Sequence, residues 1–363
     1  MTIVFAGGGT GGHLYPAIAI ATEIKSRMPD ADITFVGTKG KIESRIVPDL
    51  GFTLTEIWIS GFQRRLSLST ILFPLKLLVA LAQSILLIWK KGPDAVVGTG
   101  GYVCGPVVAA AQILRRRTLI QEQNSYPGAT TRLLAPRADE VHITFERSRR
   151  FLKRQDNIHV SGNPIRDAIG SIRREDGSHF FDLDRSKKTV LIFGGSLGAS
   201  SINAAAKGLV RALVEESVHV IWQTGSKDFA SVAASMKMQA SGLRMYSYIN
   251  EMEYAYAASD LVICRAGATS LAEMAKVGIA SVLVPYPFAA ADHQTENAKA
   301  MEVAGASVVI PDDRLASSLI ETVRSLISDP SKLERMAQSA KKLGKPEAAR
   351  TIADAVIRLA QKT

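Results

Sequence analysis

His13 follows the run Gly7-Gly8-Gly9-Thr10-Gly11-Gly12, and an imidazole so placed could take a proton from an attacking hydroxyl, the usual task of histidine in general-base catalysis. A second set is Arg265-Ala266-Gly267-Ala268-Thr269-Ser270. The spacing predicts a helix from near Thr269 or Ser270, whose N–H groups and dipole make an anion site, with Gly267 and Ala268 giving a phosphate room. The natural guest is a diphosphate. Glu273 falls one turn on, where a carboxylate could accept hydrogen bonds from a pair of ribose hydroxyls. Ser270-Leu271-Ala272-Glu273 also fits a capping box, in which the acid serves only the Ser270 N–H, and both readings stand at this point. Two more polar clusters follow apolar runs: Gln121-Glu122-Gln123-Asn124, and Asp292-His293-Gln294-Thr295-Glu296-Asn297 at the opening of another helix.

The elements that must position these groups repeat along the chain. Ile3 to Ala6, Ile33 to Val36, Asp94 to Val97 and Leu119-Ile120 read as buried strands in the first half. Thr189 to Phe193, Val218 to Gln223, Arg244 to Tyr248, Leu261 to Cys264 and Ala280 to Val284 do so in the second. Each half opens with strand, glycine loop and helix, the second through Gly194-Gly195-Ser196-Leu197-Gly198-Ala199. This is an α/β pattern with parallel strands, and polar groups past the carboxyl ends of such strands line the crevice of an open sheet. A length of 363 residues suits two domains, each with its own core. The break falls at 165/166, at the end of the run His159 to Arg166 and ahead of the charged interval Arg173 to Lys188. Gly7, Gly9 and Gly12 also satisfy GxGxxG, but Gly37-Thr38-Lys39-Gly40-Lys41 offers no acid after the second strand. An NADP enzyme using those lysines stays open, whereas the lack of GKS or GKT removes a P-loop.

Net charge is +10, and residues 1–165 hold 20 of the 44 basic residues against 12 of the 34 acids. The first half therefore faces something anionic. No zinc-ligand spacing, aromatic-rich basic motif or recognition helix accompanies the charge, which disfavours nucleic acid. Ile57 to Pro93 contains no acid, and Arg64, Arg65, Lys76, Lys90 and Lys91 bracket the apolar stretch from Ile71. Its uninterrupted run, Leu77 to Trp89, is too short to span a bilayer. Lys76, Gln83 and Lys90 form a narrow polar stripe beside Leu75, Leu78, Ala82, Ile85 and Trp89, so Ile71–Lys91 reads as a helix lying on an anionic membrane surface; a buried core helix is the alternative. Cys104 and Cys264 read as buried thiols of a reducing compartment, and the opening residues show no secretory signal. Asp182-Leu183-Asp184 reads as turn chemistry, with no metal site expected.

Taken together, GGTGGH (8–13), GTGGYVCGP (98–106), QEQN (121–124), SGNPIR (161–166), FGGSLGA (193–199), CRAGATSLAE (264–273) and DHQTENA (292–298) resemble the MurG family of glycosyltransferases, in order and over almost the whole chain. The resemblance implies the GT-B architecture, two Rossmann-like domains with parallel sheets facing across a deep cleft, and a final helix within 346–363 returning to the first domain. It implies inverting transfer of GlcNAc from UDP-GlcNAc to the C4 hydroxyl of the MurNAc of undecaprenyl-linked lipid I. The product is lipid II for bacterial peptidoglycan, and no cofactor is needed. It also implies residence on the cytoplasmic face of the cell membrane and cell-wall synthesis and division proteins as partners. By the same resemblance Ser196, Ala268 and Thr269 hold the diphosphate, Glu273 the ribose, the Ile249 backbone the uracil and Gln294 the GlcNAc hydroxyls. Arg166 lies near the nucleotide, Thr10, Gly11, Gly12 and Asn124 meet donor sugar and acceptor, and His13 is the base. Thr295 departs from relatives with a second glutamine. A glycolipid synthase, a UDP-GlcNAc epimerase and a non-catalytic UDP-sugar binding module are the neighbouring alternatives.

Overall fold

Alternate residues of one buried strand feed two cores. In β1 (Thr2–Gly7), Ile3 and Phe5 join one apolar cluster and Val4 and Ala6 another, as expected of a parallel strand covered on both faces. The computed structural model describes residues 1–61, 72–195, 198–236, 241–289 and 292–362. The chain divides into two compact units, Met1–Arg166 with Pro346–Thr363, and Asp167–Lys345. The first contains β1, β2 (Asp32–Gly37), β3 (Thr53–Glu56), β4 (Ala95–Gly100), β5 (Arg117–Glu122), β6 (Glu140–Ile143) and β7 (Ile158–Val160). Among the described residues they form a seven-stranded parallel sheet in the order β3-β2-β1-β4-β5-β6-β7.

The Gly11–Arg27 helix covers one face of this sheet, and the Phe73–Lys91 and Gly101–Ile113 helices cover the other. The Ala348–Ala360 helix returns to the first unit and buries Ile352, Val356 and Leu359 beside Phe5. Burial of side chains this large is worth roughly 1.5–3 kcal/mol each, so it outweighs the exposed Arg27–Asp354 pair at the rim. A second tether is better sheltered. Both Glu140 oxygens accept from Arg358, at 2.7 and 3.0 Å, and buried His142 lies 3.1 Å from the same carboxylate. The His142 hydrogen bond first, then Arg358, lowers the Glu140 pKa to about 2, against the effect of burial. Because the folded value is depressed, this stabilisation is present above about pH 4.5 and is lost as pH falls toward 2. Melting curves across that window are expected to be flatter for Glu140→Gln than for the unaltered protein; parallel curves would remove the carboxylate from acid unfolding.

The second unit contains β8 (Thr189–Phe193), β9 (His219–Gln223), β10 (Leu243–Tyr246), β11 (Leu261–Cys264), β12 (Ala280–Leu283) and β13 (Ser307–Val309). Its parallel sheet runs β10-β9-β8-β11-β12-β13. Val190, Ile192, Val220, Trp222, Leu261 and Ile263 pack on the Ser200–Glu215 and Leu315–Ile327 helices. Asp182 and Asp184 do belong to turns: Asp184 accepts from Ser186 N and Oγ, and Asp182 pairs with Arg244.

The apolar helix runs through Lys76, as expected of Ile71–Lys91, but the reach judged from Leu77 to Trp89 alone is too short: the 19 residues Phe73–Lys91 rise about 28 Å, comparable with the hydrocarbon of a bilayer. By length and composition alone it could cross one. As folded, however, it lies along the first unit, with Ala80, Ser84 and Ile88 buried. Two members of the expected polar stripe hold the preceding segment: Lys76 Nζ donates to Ser60 Oγ at 3.1 Å and Gln83 Oε1 accepts from Trp58 N at 2.8 Å. Ile71, Arg64 and Arg65 lie outside the described residues.

Candidate functional site

In the first unit the strand order reverses between β1 and β4, so their carboxyl ends open a crevice where open parallel sheets bind ligands. Thr10 is the N-cap of the Gly11–Arg27 helix, leaving the first N–H groups without intrahelical acceptors. The half-buried His13 ring rests on the loop after β4. A Cβ at Gly100, whose φ is +98°, would lie 2.6 Å from His13 Nδ1, so glycine is required by backbone and by space. Thr99 Oγ1 donates to His13 O at 2.7 Å, and His13 Nδ1 lies 3.1 Å from Gln123 Oε1. Three strand exits thus meet at one imidazole.

Glu122 has a different task. Its carboxylate accepts from Asn124 N and Nδ2 at 3.1 and 3.2 Å, Gly128 N at 3.0 Å and Thr131 Oγ1 at 2.6 Å, which shapes the loop and uses its lone pairs. The glycine loop is held by buried Glu43, which accepts from Gly9 N at 3.0 Å, Thr38 N at 3.1 Å and Thr38 Oγ1 at 2.9 Å. The acid missing after β2 therefore arrives later in sequence and turns inward. It occupies the Gly9 N–H, one that a dinucleotide pyrophosphate would need, against the NADP reading.

In the second unit the reversal lies between β8 and β11. After β11 the chain enters the Ala268–Val277 helix with Gly267 as N-cap, earlier than the sequence spacing suggested. Ser270 is then the third helical residue, so the capping box with Glu273 does not form. Instead Glu273 Oε2 accepts from the hydroxyl of buried Tyr256 at 3.0 Å. Thr269 Oγ1 is buried with no hydrogen-bond partner among the described residues. Arg265 braces the surrounding loops, donating to Val284 O at 3.2 Å, Pro285 O at 3.1 Å and Ser201 Oγ at 2.8 Å, and pairing with Asp312. Helix N–H groups, an unpaired hydroxyl and an oriented carboxylate can together bind an anion joined to a vicinal diol.

Comparison with known proteins gives this arrangement a family. Residues 3–143 match the glycosyltransferase family 28 N-terminal domain and residues 189–352 the family 28 C-terminal domain. A relative from Chlorobaculum tepidum, UDP-N-acetylglucosamine--N-acetylmuramyl-(pentapeptide) pyrophosphoryl-undecaprenol N-acetylglucosamine transferase, is 46% identical over 99% of this chain and 100% of its own length. The chain belongs to the MurG family. A relative of the same name from Salinibacter ruber is 40% identical over 99% of this chain and 97% of its own. The crystal structure of Acinetobacter baumannii MurG superposes with TM-score 0.77 at 27% identity, covering 98% of this chain and 99% of that one. UDP-GlcNAc 2-epimerase from Neisseria meningitidis, at TM-score 0.69 and 14% identity, shares the fold alone.

Within this MurG-family fold, Thr10, Gly11, Gly12, His13 and Asn124 gather at the carboxyl edge of the first sheet, and Arg166 ends the first of the two chain segments that make up that unit. Ala268, Thr269 and Glu273 share one helix of the second unit. Gln294 opens the His293–Val303 helix, its Oε1 accepting from Tyr286 N at 2.9 Å. Thr295 Oγ1 donates to Asp292 Oδ1 at 2.6 Å. The Ile249 N–H is donated to Gln223 Oε1 at 2.8 Å, so only its carbonyl can read a nucleobase. Ser196 lies outside the described residues. Sequence reasoning gave no role to Gln123 or Arg265 within the clusters it singled out and missed Gln223, Glu43 and Tyr256, all supporting groups. The only advance signal was alternation: Gln121 and Gln123 share one side of the β5 exit, opposite Glu122.

Proposed function

We propose that this chain transfers GlcNAc from UDP-GlcNAc to the C4 hydroxyl of the MurNAc of undecaprenyl-linked lipid I, with inversion, giving lipid II for peptidoglycan. The observation that carries the reading is the end-to-end likeness to relatives named for that transfer. His13 Nε2 takes the proton of the acceptor hydroxyl as its oxygen attacks the anomeric carbon. The bond from that carbon to the β-phosphate oxygen breaks, and UDP leaves. Ser196 and the N–H groups at Ala268 and Thr269, with the Thr269 hydroxyl, stabilise the charge gathering on the diphosphate. Glu273 accepts from the ribose hydroxyls, the Ile249 carbonyl from the uracil N–H, and Gln294 donates to a GlcNAc hydroxyl. Arg166 lies close to the nucleotide, and Thr10, Gly11, Gly12 and Asn124 contact donor sugar and acceptor. The first unit meets the acceptor and the second holds the donor. Incubation with labelled UDP-GlcNAc and a lipid I analogue should yield a disaccharide product with a new β-linkage; hydrolysis or epimerisation alone would overturn the assignment.

The acceptor's lipid tail calls for work at a membrane surface, and the Phe73–Lys91 helix supplies the means. Leu75, Leu78, Leu86 and Trp89 project from the unit, Leu78 and Trp89 each 66% exposed, with Lys90 beside them. We place the protein peripherally on the cytoplasmic face, with this surface on anionic lipid. Ile85 packs against the core and is left intact in the test. Replacing Leu75, Leu78 and Trp89 by Ser or Gln should weaken binding to anionic vesicles by on the order of 10²-fold, taking about 1 kcal/mol per side chain. Turnover of a short-chain soluble acceptor should survive. Equal loss on both acceptors, with a collapsed circular dichroism spectrum, would assign the helix to the core instead.

A further inference from the structure

We propose that Gln123 is a positioning residue that fixes the proton of His13 on Nδ1 and so leaves Nε2 as the basic nitrogen, acting as the last link of a buried chain of amides. The inference rests on the reading of His13 as the base and adds the device that prepares it.

The amide of Gln123 has only one acceptable orientation. Its Nε2 lies 2.7 Å from Thr99 O and 3.4 Å from Gln121 O, and it also meets Gln121 Oε1. All three neighbours are acceptors. Turning the amide over would set an oxygen against three oxygens in a site where Gln123 is 2% exposed, and a buried acceptor left without a donor costs roughly 1–3 kcal/mol. Oε1 must therefore face His13, where it lies 3.1 Å from Nδ1. An amide oxygen only accepts, so Nδ1 carries the hydrogen and the lone pair belongs to Nε2. In water a neutral histidine side chain favours the opposite tautomer.

The chain continues inward. Gln121, fully buried, accepts from Gln123 through Oε1 and donates through Nε2 to Asn163 Oδ1 at 3.3 Å and Thr144 Oγ1 at 3.5 Å. Asn163 is itself 2% exposed and belongs to the Ser161–Arg166 motif. Its Nδ2 is buried without a partner among the described residues. Running from His13, each group donates to the next, so the amides align head to tail and polarise one another in one direction. Two glutamines spaced by two on one strand exit are what this geometry demands, because the intervening Glu122 points away to the 124–131 loop.

The direct test is nitrogen NMR of the full-length protein labelled at histidine, at a pH where the ring is neutral, with the His13 signals assigned by comparison with His13→Ala. The expected result is a protonated Nδ1 and a bare Nε2 in the unaltered protein, reverting toward the solution tautomer in the near-isosteric Gln123→Met. Single-turnover transfer by Gln123→Met should be about 10- to 100-fold slower, a loss of the size found when the partner orienting a metal-bound histidine is removed, with UDP affinity unchanged by calorimetry. The double variant with His13→Ala should be no slower than His13→Ala alone, since both changes disable one group. A protonated Nε2 in the unaltered protein overturns the proposal, and so does a fully additive double variant. If Gln123→Met fails to fold, the spectrum of the unaltered protein decides alone. Near-normal transfer by His13→Ala would instead sink the base assignment, a result that the tautomer measurement does not share.

Discussion

His13→Ala is expected to slow the glycosyl-transfer step by about 10²- to 10⁴-fold, or roughly 3 to 5 kcal/mol of barrier, while UDP affinity stays close to that of the unaltered protein. A sugar hydroxyl is a poor nucleophile until its proton is taken, and the first crevice contains few groups able to take it. Glu122 is adjacent in space, yet its two oxygens already accept four hydrogen bonds from Asn124, Gly128 and Thr131. Removing any of those donors to release the carboxylate would unfasten the loop. Asn124 is an amide with no useful basicity. The imidazole, by contrast, is held by the Gly100 loop and Gln123 with its second nitrogen uncommitted by either. UDP affinity is spared because Ser196, Ile249, Ala268, Thr269 and Glu273, which are assigned direct contacts with the nucleotide, belong to the Asp167–Lys345 unit. Single-turnover transfer measured beside UDP calorimetry is the check. A loss below about tenfold would remove His13 as the base.

Much of this was readable before any coordinates, and for a specific reason. A buried parallel strand must be nearly continuous in apolar residues, and a chain passing close to a ligand or another backbone needs glycine. Ile3 to Ala6 with Gly7 to Gly12, and Leu261 to Cys264 with Gly267, satisfy both conditions, so they locate the switch points of the two sheets. The supporting groups were hidden because they are set by distances between strands remote in sequence. Nothing near Gly9 signals that Glu43 will hold its N–H, and nothing near Ile249 signals Gln223. Helix ends were misplaced by a residue or more for a related reason. Ser270 is the better capping residue by type, but β11 ends at Cys264, and the packing of Ala268 and Leu271 begins the helix earlier.

Glu273→Ala is expected to weaken UDP binding by about 10- to 150-fold, the equivalent of roughly 1.5 to 3 kcal/mol for hydrogen bonds to a charged group. The competing assignment, a capping box worth about 1 kcal/mol of stability, requires Ser270 to precede the helix. Ser270 lies inside it. The Glu273 carboxylate is instead oriented by Tyr256, whose hydroxyl donates from a site that is 1% exposed. One oxygen is thus fixed from below, which presets the direction in which the carboxylate can accept from a diol. Tyr256→Phe should therefore weaken UDP by a smaller amount, about 2- to 12-fold for one neutral hydrogen bond. The ribose itself supplies the control. UDP lacking a ribose hydroxyl should bind the unaltered protein less tightly than UDP does, and the two ligands should converge in Glu273→Ala, because the side chain that distinguishes them is gone. Calorimetry of both ligands with both proteins closes this cycle. If Glu273→Ala binds UDP as before and only its melting temperature falls, the carboxylate serves the fold through Tyr256, and the ribose must be held by another group near the start of the Ala268–Val277 helix.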